Sequence, residues 1–149
     1  MIDAVCDYLD FFNSPPNDMP ERLSALAQRL DQLAIAYLTT VEPEDKEYYF
    51  EPPTSDWHVI YEQMAELFPT LGSYAHVAPT DDLDQKPEAA FAIIDLTAIY
   101  TDMLDVVWYY EIEGIDEATR HFRFCYQDNF GRHLHNVRRY LASSTVTAW

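Results

Sequence analysis

The segment 87–113 reads PEAAFAIIDLTAIYTDMLDVVWYYEIE, and its reading decides the fold class of this 149-residue chain. Leu96, Tyr100, Met103, Val107 and Tyr110 recur at helical spacing, and Ile94, Ile99 and Val106 widen their stripe. A helix that is apolar around most of its circumference belongs at the centre of a bundle. Pro87 suits a first helical turn and Gly114 a C-cap, so one helix is predicted over 87–113. A narrow polar stripe of Asp95, Ala98, Asp102, Asp105 and Tyr109 runs down it.

Four further helices are predicted around it. The first runs from about Ile2 to Phe12, with Ile2, Val5, Leu9 and Phe12 inward, and stops at Asn13-Ser14-Pro15-Pro16-Asn17. Asp18-Met19-Pro20-Glu21 has the form of a capping box and opens a second helix to about Leu38, burying Leu23, Leu26, Leu30, Leu33 and Tyr37. A loop with Pro43, Pro52 and Pro53 leads to a third, capped by Thr54, Ser55 or Asp56, with Trp57, Ile60, Tyr61, Met64 and Phe68 on its stripe and Pro69 at its end. Residues 69–86 read as irregular. Asp116 is the expected cap of the last helix, which runs to about Leu141 with Phe122, Tyr126, Phe130, Leu134, Val137 and Tyr140 inward. No period-2 run competes with these patterns. The expectation is an all-α single domain over 1–149, an antiparallel bundle of about five helices whose last two form a long helical hairpin.

Composition narrows the function classes. Apolar residues make up 48% of the chain, enough for a core, and 26 acids against 9 Lys and Arg leave a net charge of −17. Residues 42–117 alone carry −17, residues 1–41 carry −4, and residues 118–149 carry +4. Such a field repels nucleic-acid phosphate and anionic membrane and favours a basic protein partner, or serves solubility alone. The longest apolar run, Ala89 to Ile94, is far short of a membrane span, and Met1-Ile2-Asp3 lacks the basic start of a secretory signal. Cys6 and Cys125 form no disulfide framework, which points to a reducing cytoplasm. Three glycines are too few for a phosphate-cradling loop.

Catalytic and metal motifs are missing. Di-iron bundles need two Glu-x-x-His motifs, and the nearest match is a single Glu117-x-x-x-His121. His133 and His135 point to different sides of a helix, His-Glu-x-x-His is absent, and no metal or cofactor is expected. Cys125 lies one turn from His121, but a Cys–His dyad lacks an evident orienting group. Tyr48, Tyr49 and Phe50, flanked by Glu47 and Glu51, are either an interaction patch or packing of the loop over the bundle.

The predicted hairpin draws polar groups together. Arg123 and His133 fall inside the apolar face of the last helix, while Arg132, His135 and Arg139 fall outside it, and Asp128 stands one turn before Arg132. Counting outward from Gly114 places Arg123 near Asp105 and His133 near Asp95 or Tyr100. Gly131 is expected to allow close approach of the preceding helix. These groups read either as partnered core residues or as a polar pocket of Asp95, Tyr100, Asp102, Arg132 and His133, suited to an anionic or amide ligand.

The stretch Ile94-Asp95-Leu96-Thr97-Ala98-Ile99-Tyr100-Thr101-Asp102-Met103, with Phe130-Gly131-Arg132-His133 later, resembles a bacterial family, the domain of unknown function numbered 5063. Its members carry a D-L-x-x-I-Y-x-D-L-like helix and an aromatic-Gly-x-His signature; here Phe130 stands where Trp is usual and Asn129 where His is frequent. The resemblance covers roughly residues 20–142 and implies a small helical cytoplasmic protein without implying an activity. Two functions follow as expectations. One is a non-catalytic protein-binding module acting through its acidic surface, as a toxin-neutralising immunity protein, an inhibitor or a nucleic-acid mimic would. The other is a ligand-binding or enzymatic bundle using Asp95, Tyr100, Arg132 and His133.

Overall fold

The computed structural model describes residues 1–44 and 51–143. Tyr48, Tyr49 and Phe50 lie outside the described residues. The order is α1 (Ile2–Phe11), α2 (Met19–Thr39), α3 (Trp57–Leu67), β1 (Ser73–His76), β2 (Glu88–Phe91), α4 (Ala92–Glu113), α5 (Ile115–Cys125), a π turn (Tyr126–Phe130) and α6 (Gly131–Leu141).

Local chemistry accounts for the helix starts. The Asp18 carboxylate accepts the Glu21 N–H at 3.1 Å, and Pro20 lies in the first turn, so α2 begins where the capping box placed it. Of the three cap candidates for α3, Asp56 is used, accepting the Val59 N–H at 3.2 Å. Arg22 clamps the loop before α2 to the end of α3, donating to the Pro16 and Leu67 carbonyls at 2.7 Å each. Leu67 ends α3, where carbonyls lie beyond the helix's own ladder, and a guanidinium fork is a natural cap for one.

The chain is mostly helical but not all-α. Ser73–His76 pairs antiparallel with Glu88–Phe91, so α4 starts at Ala92 and not at Pro87. Residues 81–89 are exposed on every side. A helix extended back through them would have no surface to pack on, and short helices owe their stability to packing. Pairing with β1 instead satisfies the backbone, and the Ala92 N–H closes the ladder on the Gly72 carbonyl at 3.1 Å.

From there α4 is central, touching α1, α3, α5 and α6, with Ala92, Ile93, Leu96, Thr97, Ile99, Met103 and Val106 buried. Gly114 ends it at φ 97°, a left-handed backbone that favours glycine. This glycine, and not Asp116, stands at the start of α5. Tyr8, Phe12, Phe68, Phe122, Phe130 and the leucines of α2 fill the core.

α5, the π turn and α6 form one continuous helix, since Cys125, Tyr126, Phe130 and Gly131 all keep right-handed helical angles. Within the turn the Gly131 N–H reaches back five residues to the Tyr126 carbonyl. That bond explains the glycine. A Cβ at 131 would lie 2.3 Å from the Tyr126 carbonyl oxygen, so Gly131 makes room for its own helix's π turn and not for close approach of α4.

Candidate functional site

The polar stripe of α4 faces the last helix, and each carboxylate on it meets a different environment. Asp95 is 4% exposed. Its Oδ1 lies 2.7 Å from His133 Nδ1, and its Oδ2 accepts the Tyr74 hydroxyl. Tyr74 stacks on Tyr140, with ring centroids 5.1 Å apart, and the Tyr140 hydroxyl accepts the Gly72 N–H at 3.1 Å. Burial, the hydrogen bond to Asp95 and the charge of Asp95 push the Tyr74 hydroxyl far above its ordinary range, so it remains a proton donor. Strand β1, α4 and α6 therefore meet at one carboxylate.

Seven residues along α4, Asp102 accepts the Asn129 amide at 2.9 Å. Burial raises the Asp102 carboxyl to about 6 against the pull of Asn129, and burial alone raises Asp105 to about 6. Deeper toward Gly114, His121 Nε2 lies 3.2 Å from Cys125 Sγ, and its ring packs on Tyr109 with centroids 4.5 Å apart. Burial lowers His121 to about 4; burial first, and then Asp102, Asp105 and Asp128, raise the Cys125 thiol. Both groups are neutral at neutral pH. A nucleophilic cysteine needs the opposite environment, one that lowers its pKa.

The expected five-residue pocket does not assemble as drawn. The structure joins Asp95 to His133 and aligns Asp102 on the same stripe. Tyr100 turns to the other side of α4, its ring edge-on to Phe12 at 5.4 Å. Arg132 is exposed on the outer side of α6. Arg123 does not reach Asp105. It donates to the Tyr37 and Thr40 carbonyls at 2.9 and 2.8 Å, to Thr40 Oγ1 at 2.9 Å and to Glu42 at 2.9 Å, and lies over the Tyr37 ring. The C-terminus of α2 offers unpaired carbonyls and the negative end of a helix dipole, which suit a guanidinium better than a single carboxylate.

Tyr74 is the member of the site that sequence reasoning missed. Its signal was weak but present: Tyr74 and His76 alternate with Ser73 and Ala75, and the inward and outward faces of β1 alternate accordingly. Tyr74 also lines a cavity of about 720 Å³ between β1, the following loop and α6, together with His76, Asp82, Asn136, Arg139 and Tyr140. Among the described residues no group of three or more His, Cys, Asp or Glu is placed to hold a metal ion. No helix among them is long and apolar enough to cross a membrane.

The family model described as Domain of unknown function (DUF5063) matches residues 2–147, and the chain belongs to that family. The fold is similar to the crystal structure of protein BF1032 from Bacteroides fragilis, with a TM-score of 0.71 at 15% identity over 96% of this chain and 90% of that one. No curated protein matches the chain.

Proposed function

For this member of the family we propose a non-catalytic protein-binding module whose acidic surface takes a basic partner. The observation that carries the reading is the exposed segment 79–89, which presents Asp81, Asp82, Asp84 and Glu88 around a fully exposed Leu83. Two turns hold it, with the Asp81 N–H on the Ala78 carbonyl and the Gln85 N–H on the Asp82 carbonyl, and Asp81 also accepts the Ala78 N–H at 2.9 Å. An apolar side chain ringed by carboxylates fits a basic surface that has a small apolar recess.

The interior supports the same choice. Asp95 spends both oxygens on Tyr74 and His133, and Cys125 and His121 are neutral and face each other. Groups so engaged are poorly placed to bind or activate a substrate. The test is the triple variant Asp81→Asn, Asp82→Asn, Asp84→Asn, compared with the parent for retention of native-host proteins at low and high salt. The parent should retain a basic protein that is lost at high salt, and the variant should not. Equal retention by both at every salt concentration refutes the reading.

A further inference from the structure

We infer that the free edge of β1 is a strand-addition site for an extended basic peptide segment of the partner, an inference that rests on the protein-binding reading above. The register and the Ala92 N–H bond to Gly72 fix which backbone groups the two-stranded sheet uses. In an antiparallel ladder, residues alternate between pairs that exchange both bonds and pairs that exchange none. Gly72 and Ala92 are joined across the ladder, Ser73 and Phe91 therefore are not, and Tyr74–Ala90 and His76–Glu88 are the bonded pairs. The N–H and C=O groups of Ser73 and Ala75 consequently point to the opposite edge, where the described residues place no third strand.

That edge opens into the 720 Å³ cavity, and its walls explain what would lie there. All four consecutive residues of β1, Ser73 to His76, line it, as the edge of a strand does and one face of a strand does not. α6 closes the far side with Asn136, Arg139 and Tyr140. An extended segment between them would bond Ser73 and Ala75 through its backbone and rest alternate side chains on the Tyr74–Tyr140 stack. Charge selects the occupant: Asp81 and Asp82 line the cavity and Asp84 and Glu88 lie beside it on the loop and β2, four acids against Arg139 and Lys86, in a chain of net charge −17. A two-stranded sheet is also marginal alone, and a third strand completes it.

The experiment uses the full chain with a fluorescein-labelled octapeptide of alternating Lys and Val, and the same peptide with every backbone amide N-methylated. Charge is identical in the two peptides, but the second cannot donate to an edge. The unmethylated peptide is expected to bind at least tenfold tighter and to slow amide exchange at Ser73 and Ala75. Ala75→Pro, which removes an outward N–H and leaves the β1–β2 ladder whole, should weaken it equally. Should that variant lose its helical circular dichroism, the methylated peptide still decides. Equal binding of both peptides, with salt dependence retained, overturns the edge and leaves the acidic-surface reading standing. Ser73 and Ala75 amides already protected in the free chain would mean that its own backbone holds the edge, which also overturns it. Binding of neither peptide at low salt refutes both.

Discussion

His121 and His133 stand on the same continuous helix and face the same stripe of α4, yet they sit in opposite chemical settings. His133 meets a buried carboxylate that also holds Tyr74. His121 meets an aromatic ring and a thiol, and burial drives its pKa down to about 4. The carboxylates differ in the same way. Asp95 has two side-chain donors, Asp102 has the Asn129 amide, and Asp105 is raised to about 6 by burial alone. A buried polar group on this interface is defined by what the opposite helix brings to it, and not by its residue type.

The largest effect should come from breaking the better-satisfied end. Asp95→Ala leaves the Tyr74 hydroxyl and His133 without their acceptor, an expected loss of roughly 3 kcal/mol by urea denaturation. Tyr74→Phe alone should cost about 1 kcal/mol, and nothing further in the Asp95→Ala background, because both act on one contact. Simple additivity would mean that Tyr74 does not bond Asp95.

Next is the joint between the two histidines. Gly131→Ala improves helix propensity by about 1 kcal/mol. It nevertheless places a Cβ against the Tyr126 carbonyl, and overpacking of that kind should leave a net loss of about 2 kcal/mol. An unchanged or raised urea midpoint would refute the π turn.

The pH dependence sharpens the contrast with a sign. His121 ordinarily titrates at 6.5 and in the fold at about 4, so between those values the unfolded chain binds a proton that the folded chain refuses. Stability from this group falls as pH falls through that window. Asp102 and Asp105 move from 3.8 to about 6, so the folded chain keeps protons that the unfolded chain releases, and their contribution is lost as pH rises through 6. Thermal melts should therefore show His121→Leu gaining on the parent as pH drops from 7 to 4.5, and Asp105→Asn gaining on it as pH climbs over the same range. Parallel trends would contradict the assignment. The smallest effect is expected outside the interface, where Arg132→Ala should change stability by no more than about 0.5 kcal/mol.

How much of this was legible depended on whether the controlling interaction was local. The cap at Asp18, the leucines of α2 and the stop at Gly114 are all settled within one or two helical turns, and each was readable; the cap of α3 was narrowed to Thr54, Ser55 or Asp56, of which Asp56 is used. Counting outward from Gly114 narrowed the partner of His133 to Asp95 or Tyr100, and the structure selects Asp95 because Tyr100 turns to the other side of α4. Residues 88–91 were misread because a strand partner fifteen or so positions upstream overrides their helical pattern. Arg123 was misplaced because its partners come from the end of α2, more than eighty residues earlier. Tyr100 and Arg132 were grouped with His133 by residue type, when the helix lattice sends them elsewhere.

The π turn also has a genetic consequence. It is a stretch of helix carrying one residue more than an α-helical ladder requires, so a gene could lose a single codon between 126 and 130 and still encode an unbroken helix. Such a deletion would turn the wide turn into an α turn and leave the residues after it close to their present phase, because five residues of a π turn sweep nearly the same arc as four of an α-helix. His133 would still face Asp95, Tyr140 would still face Tyr74, and α6 would keep its row against α2. A codon lost elsewhere in the same helix has no such slack and would turn everything beyond it by roughly 100°. The wide turn is in effect a spare residue that the helix can carry or drop, and Gly131 is what lets it be carried.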